Sequence, residues 1–390
     1  MPPAVCSQVR NSQTIEKMNN RKIKVGITHG DTNGIGYEVI LKMLEDPRIA
    51  DLCTVVVYGS GKVASFYRKA MELPQVQFNR IDTAAEAKDG AYNIINVVGE
   101  DLKVDPGTAS EEAGAAALAA LEAAVADLRA DDIDVLVTAP INKHSIQSSS
   151  FNFPGHTEYL ETSFNTDDAP CKALMIMCAD KLRVALLTTH TPLGKVAEAV
   201  TKEAIVDKLK EFDRSLRRDF GIQSPRIAVL SLNPHAGEDG LLGSEEKDII
   251  IPAIKEARDE RILAFGPYAS DGFFGSGNYT AFDGVLAMYH DQGLTPFKTL
   301  AMDSGVNFTA GLPVVRTSPD HGTGYDIACK NEANPESMRC ALYTAIDIYR
   351  HRINYDEAYS HPLRHQHLEK EKSGKPERDA AAAASAAPKE

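Results

Sequence analysis

The chain has 390 residues, 43% hydrophobic and 25% charged, with a formal net charge of −13. That size suits two domains, or one large α/β unit, with an ample core. An acidic balance without a basic stripe argues against nucleic acid as a main partner, and no apolar run approaches a membrane span.

Residues 1–20 are polar and lack an apolar stretch, so they read as an N-terminal extension rather than a signal peptide. Apolar, β-branched runs then predict strands at 22–28, 53–59, 92–98, 133–139, 173–179, 183–189, 226–232, 285–289 and 306–310. An Ala-rich helix is expected over 110–129, with Leu118, Leu121, Val125 and Leu128 on one face. A second is expected over 201–220, where Ile205, Leu209, Phe212 and Leu216 recur at helical spacing before Gly221. This alternation means an α/β fold with a largely parallel sheet covered on both faces. From residue 365 the chain is charged and then Ala-rich, a tail outside the folded body. The cysteines (Cys6, Cys53, Cys171, Cys178, Cys329 and Cys340) form no C-x-x-C pair and read as free thiols of a cytoplasmic protein.

Three histidines close expected strands: His190 after 183–189, His235 after 226–234, and His290 after 285–289. Strand ends of an open α/β sheet share one crevice, so residues distant in sequence can converge on one ion there. Imidazole is the commonest protein metal ligand, and catalytic ions often keep three protein ligands. Quiet surface or core histidines are the plain alternative.

Other motifs carry candidate chemistry. Gly30-Asp-Thr-Asn-Gly-Ile-Gly36 follows the first strand and precedes a helix. Its glycines either let backbone N–H groups approach an anion or make a tight turn with no ligand. Its spacing is not that of a dinucleotide fingerprint. Lys143 and His156 flank a Gly/Pro loop and could hold a carboxylate or phosphate. Asp291 and Lys298 follow His290, with Gly293 and Pro296 read as a loop between them. Arg316 offers a planar fork for an anion from an expected Gly/Pro/Ser-rich loop.

The runs GDTNGIG, TAPINK, FPGHTEY, TTHTPL, LNPHAGE, MYHDQGL and VNFTAGLPVVRTSPDHGT, in this order, resemble the 4-hydroxythreonine-4-phosphate dehydrogenase family of pyridoxal phosphate biosynthesis. The resemblance spans about Lys22 to Arg352. It implies a two-domain α/β/α architecture of the isocitrate/isopropylmalate dehydrogenase type, with the active site in the interdomain cleft. Residues 21–140 plus 281–362 would form the first domain and 141–280 the second, between extensions 1–20 and 363–390. It implies a homodimer whose sites are completed across the interface, a phosphorylated hydroxy amino acid substrate, NAD or NADP, and a divalent ion (Zn, Mg, Mn or Co). The ion's ligands fall on His190, His235 and His290. Substrate contacts fall on His156, Thr157, Lys298, Asn307 and Arg316. Lys298, Asp291 and Asp271 would serve acid–base chemistry, and Gly30, Gly34 and Gly36 the cofactor. Close relatives of the family oxidise 4-phospho-erythronate or 4-phospho-threonate, so another phosphorylated hydroxy acid is the rival substrate. A non-catalytic zinc protein is the rival class, disfavoured because the cysteines lie outside the histidine motifs.

Overall fold

The computed structural model describes residues 21–148, 151–167 and 170–360. The expected extensions, 1–20 and 363–390, and Cys6 lie outside the described residues.

Strands β1 (Ile23–Thr28), β2 (Cys53–Gly59), β3 (Phe78–Ile81), β4 (Tyr92–Asn96), β5 (Val135–Thr138) and β12 (Val315–Pro319) form one parallel block. Strands β7 (Leu182–Leu186), β8 (Arg226–Leu230), β9 (Leu263–Tyr268) and β10 (Gly284–Ala287) form a second. Strands β6 (Leu174–Ala179) and β11 (Val306–Ala310) join them through antiparallel pairings, so the second block runs opposite to the first. Among the described residues the sheet reads β3-β4-β2-β1-β5-β12-β11-β6-β7-β10-β8-β9.

Both faces of this sheet are buried, as parallel pairing requires. Val55 and Val57 face one core with α1 (Gly36–Leu44), and Val56 and Tyr58 face another with α2 (Glu111–Arg129). Farther along, Ala185, Ile227 and Val229 pack with α4 (Lys202–Arg218). Their alternates Val184, Leu186, Ala228 and Leu230 pack with Leu294 and Phe297 of α5 (His290–Ala301).

The strands expected at 183–189, 226–232 and 285–289 end two or three residues early. There the ladder gives way to polar loops, as where the Thr188 hydroxyl donates to the Met288 carbonyl oxygen. His290 accordingly opens α5 rather than closing a strand, and Lys298 lies in that helix rather than beyond a loop. Gly293 makes the packing possible: a Cβ there would meet Leu186 and Val184 side chains at 2.8 and 2.9 Å. Three strands escaped the sequence reading. Strand β3 is a partly exposed edge, β9 contains the breakers Gly266 and Pro267, and β12 is polar for most of its length. Strand β10 pairs with β7 and β8, so residues 284–287 sit in the second half of the sheet although the expected boundary placed them with the first. Among the described residues, no helix is long and apolar enough to cross a membrane.

His29, just past β1, is fully buried against Tyr37, ring centroids 5.3 Å apart. Its Nε2 faces the Ala116 carbonyl oxygen at 3.2 Å, and Nδ1 has no partner. Burial pushes its pKa from 6.5 down to about 4. The unfolded chain therefore takes up this proton first, and stability present above pH 6.5 is lost as pH falls toward 4. The loss should be on the order of 3 kcal/mol. His29→Gln should flatten the fall of the urea midpoint between those pH values; an unchanged slope would clear His29 as its cause.

Candidate active site

A cavity of about 270 Å³ opens over the middle of the sheet, where strand direction reverses. Strand β5 delivers Thr138 and β12 delivers Arg316. Asn307 comes from β11, and Met175 and Met177 from β6. Helix α3 (His156–Phe164) presents His156, Thr157 and Glu158 at its N-terminus, where unpaired N–H groups favour an anion. His190, His290, Lys298, Asp320 and His321 close the other side.

Arg316 dominates the electrostatics. It is 2% exposed, and its partners are hydroxyls: Nε and Nη2 donate to Thr138 Oγ1 at 3.1 and 2.6 Å, and Nη1 to Thr309 Oγ1 at 3.1 Å. Burial pushes its pKa down to about 9, opposed by the charge of Glu158. His156 Nε2 and Asn307 Oδ1 are shut off from solvent without partners. Burial first, then Arg316 and Lys143, hold His156 well below the ordinary imidazole value, so it is neutral. Such orphaned groups around an uncompensated cation call for a polar, anionic ligand.

Lys298 Nζ lies 3.2 Å from both the carbonyl oxygen and Oδ1 of Asp320. Asp320 Oδ2 has no partner, and burial raises this carboxyl above its usual range, against the pull of Lys298. His321 is held below the ordinary imidazole value, chiefly by burial. Glu158 is held low chiefly by His190, whose Nδ1 is 3.7 Å away.

The substrate residues expected from sequence (His156, Thr157, Lys298, Asn307 and Arg316) all line this one cavity, with His190 and His290. His235, Asp271 and Asp291 do not. Arg316 is a buried strand residue rather than a loop residue: the Val315–Thr317 ladder to β5 holds it. Asp291 Oδ1 lies 2.7 Å from His290 Nδ1, and Asp271 is exposed on the short helix Ser270–Gly275. Sequence reasoning gave no role to Thr138, Glu158, Asp320 or His321. Reading 315–319 as a strand would have found the last two, which follow its carboxyl end.

The three expected ligand histidines follow β7, β10 and β8, adjacent parallel strands. The Asp291 contact at His290 Nδ1 leaves Nε2 for an ion, the usual carboxylate–histidine arrangement of metal sites. Three imidazoles suit a borderline-soft divalent ion. This donor set fits, but among the described residues no three His, Cys, Asp or Glu side chains of one chain are grouped to hold an ion.

The glycine turn of Gly30, Gly34 and Gly36, expected to serve the cofactor, packs closely against protein backbone. Its whole length is buried, and two of its N–H groups reach neighbouring loops: Asp31 N donates to Pro140 O at 2.9 Å and Ile35 N to Thr323 O at 2.9 Å. Cβ atoms at Gly30, Gly34 and Gly36 would meet carbonyl oxygens at 2.3, 2.6 and 2.3 Å. The glycines serve close backbone packing, the plain alternative.

A sheet covered on both faces, with a buried cation and imidazoles over its reversal point, defines an α/β enzyme acting on a small anion. The chain belongs to the family described as pyridoxal phosphate biosynthetic protein PdxA, which residues 51–345 match. It is 56% identical over 353 residues to a 4-hydroxythreonine-4-phosphate dehydrogenase of Bacteroides thetaiotaomicron, covering 90% of this chain and 96% of that one. It is 43% identical to the enzyme of that name from Sulfurihydrogenibium sp., over 84% of this chain and 99% of the relative. The crystal structure of 4-hydroxythreonine-4-phosphate dehydrogenase from Klebsiella pneumoniae superposes with a TM-score of 0.72 at 35% identity, covering 84% of this chain and all of that one.

Gly30 has a φ of +69° besides its crowding. Gly30→Ala should therefore lower unfolding stability by about 1–3 kcal/mol, measured in urea, while the folded variant keeps its KM for the nicotinamide cofactor. A large rise in that KM at unchanged stability would return the turn to an anion-binding role.

Proposed function

We propose that the chain oxidises the C3 hydroxyl of 4-phosphooxy-L-threonine to give 2-amino-3-oxo-4-phosphooxybutanoate, which then loses CO2 to yield 3-amino-2-oxopropyl phosphate. The observation that carries this reading is Arg316, a buried guanidinium in the cavity with two threonine hydroxyls and no carboxylate as partners. Family membership supplies the reaction.

Arg316 holds one anionic end of the substrate, with Asn307 and the neutral His156 as polar contacts and Thr157 at the α3 N-terminus. His190, His235 and His290 would hold the divalent ion, which would supply Lewis acidity for the oxidation and the loss of CO2. Oxidation would remove the hydroxyl proton and pass the C3 hydride to NAD or NADP, which would supply the oxidising equivalent. In the second step the C1–C2 bond breaks, its electron pair passes to C2 and the C3 oxygen, and CO2 departs. Lys298, supported by Asp320, delivers the proton to C2. Asp291 orients His290 rather than carrying the proton.

The same reading includes a homodimer whose sites are completed across the interface. It is supported by the open set of three histidines within one chain. Exposed apolar residues also flank the loops of His190 and His235: Leu193 is 74% exposed, Leu241 77% and Ile251 50%. Asp271 then acts in the partner's site. Free Cys53, Cys171, Cys178, Cys329 and Cys340 support a cytoplasmic setting.

Absorbance of NADH or NADPH should grow with 4-phosphooxy-L-threonine only when a divalent ion is present. No turnover of this substrate, beside turnover of 4-phospho-erythronate or 4-phospho-threonate, would shift the substrate assignment. Arg316→Ala should raise KM by about tenfold or more, since a charge-assisted bond is worth about 1.5–3 kcal/mol. An unchanged KM would take Arg316 out of the substrate site.

Lys298→Met should cut kcat by on the order of 10²-fold with the ion retained and KM little changed. A near-normal kcat would make Lys298 a surface lysine lying over Asp320.

A further inference from the structure

A chain of buried hydrogen bonds crosses the three strand ends that precede the histidines. Thr188, two residues before His190, donates through its hydroxyl to the Met288 carbonyl oxygen at 2.8 Å. Met288, two residues before His290, donates its N–H to Gln292 Oε1 at 2.7 Å. Gln292 Nε2 donates to the Ser231 carbonyl oxygen at 2.6 Å, just past β8. The Ser231 hydroxyl donates to the Asn233 carbonyl oxygen at 2.9 Å. The N–H groups of Leu232 and Asn233 then converge on Glu246 Oε1 at 2.8 and 2.7 Å, and Asn233 Nδ2 reaches Oε2 at 3.0 Å.

Gln292 occupies a particular place in this chain. Strands β10 and β8 pair as Gly284 with Ile227, Val285 with Ala228 and Leu286 with Val229. The same offset of 57 (284 − 227) would set Met288 opposite Ser231. Instead the Gln292 amide, in a residue 8% exposed, stands between Met288 N and Ser231 O and satisfies both. It is a wedge one amide wide, and it sets the separation of the strand ends leading to His290 and His235.

Glu246, 3% exposed, performs the corresponding task on the far side. The turn it anchors carries His235, Ala236, Glu238 and Asp239 at φ of 53°, 53°, 43° and 53°, around Gly237 at 76°. Residues with a Cβ enter this region only when their surroundings over-determine it. Gly237 rests directly on the carboxylate, where a Cβ would stand 2.5 Å from Oε2. A strand could end without a buried carboxylate or a left-handed turn, and both cost stability. Strain of this kind collects at sites where geometry serves function.

We propose that Gln292 and Glu246 are positioning residues that fix His190, His235 and His290 on their strand ends, ready for the site that the dimer completes. They thereby set the protein's affinity for a divalent cation without touching it. The inference rests on the reading of these histidines as the ion's ligands.

The test is Co²⁺ titration of the full-length protein, followed by the visible d–d absorption of the bound ion, in wild type, Gln292→Met and Glu246→Gln. Gln292→Met removes both amide bonds. Glu246→Gln keeps the size but replaces the acceptor facing Asn233 Nδ2 with a donor. Removal of such outer supports typically costs 10–100-fold in metal affinity. Gln292→Met should weaken Co²⁺ binding by about tenfold or more and alter the band shape, with far-UV circular dichroism and oligomeric size preserved. Glu246→Gln should do so more weakly. If Gln292→Met does not fold, Glu246→Gln decides alone. Lowered melting temperatures with unchanged Co²⁺ affinity and spectrum would make both residues structural and overturn the proposal, leaving the histidine site standing. Wild type that takes up no Co²⁺ would overturn the histidine site itself, and this inference with it.

Discussion

The guanidinium of Arg316 holds the centre of the molecule. It lies on β12, between β5 and β11, and donates to a threonine hydroxyl on each: Thr138 and Thr309. Those three strands mark the place where the parallel block gives way to antiparallel pairing. One side chain thus braces the seam of the sheet and leaves a buried positive charge facing the cleft above it. Neutral hydroxyls cannot balance that charge, so the fold carries a standing cost that an anionic ligand relieves. The cavity forms at the reversal because strand directions, and hence connecting loops, change there.

Much of this was legible in the sequence, and its failures have identifiable causes. Apolar, β-branched runs such as Cys53–Gly59 gave strands with correct ends because both faces of the sheet are buried. Strand β12 was hidden because Arg316, Thr317 and Ser318 replace the expected apolar residues. Their polarity serves the site, while the ladder to β5 supplies the structure. Helix α5 was hidden by Gly293 and Pro296, which ordinarily punctuate helices. Gly293 is there because its missing Cβ lets the helix settle onto β7. In both cases tertiary packing overrode local preference, and in both the misread residues adjoin the cavity.

The glycine turn shows the converse error. A glycine-rich run between a strand and a helix has the composition of an anion cradle, yet here the N–H groups of Asp31 and Ile35 bond to neighbouring loops and those of Asn33 and Gly34 to Asp31 within the turn. Composition reports that two backbones approach closely; it does not report whether the second belongs to a ligand or to the protein. Cβ atoms added at Gly30, Gly34 and Gly36 would meet carbonyl oxygens of residues 140, 323 and 29, so protein backbone makes the close approach there. The loops so joined carry His321 and lead toward Thr138, so the turn supports the cleft from beneath.

The two walls of the cleft are built differently, and the difference follows from their tasks. The wall of Arg316, Asn307 and His156 is made of strand and helix residues with orphaned polar atoms, fixed before any ligand arrives. Preorganised groups of this kind recognise charge without reorganising, which favours discrimination among small anions. The opposite wall is made of loops and the start of α5, and its histidines remain exposed: the side chains of His190 and His290 are 48% and 44% accessible. Exposed imidazoles are free to ligate, but exposed segments alone would leave their spacing loose. The buried path from Thr188 through Gln292 to Glu246 supplies the missing rigidity from below. Burial of the supporting groups, rather than of the donors, is therefore what lets one surface be both open and ordered.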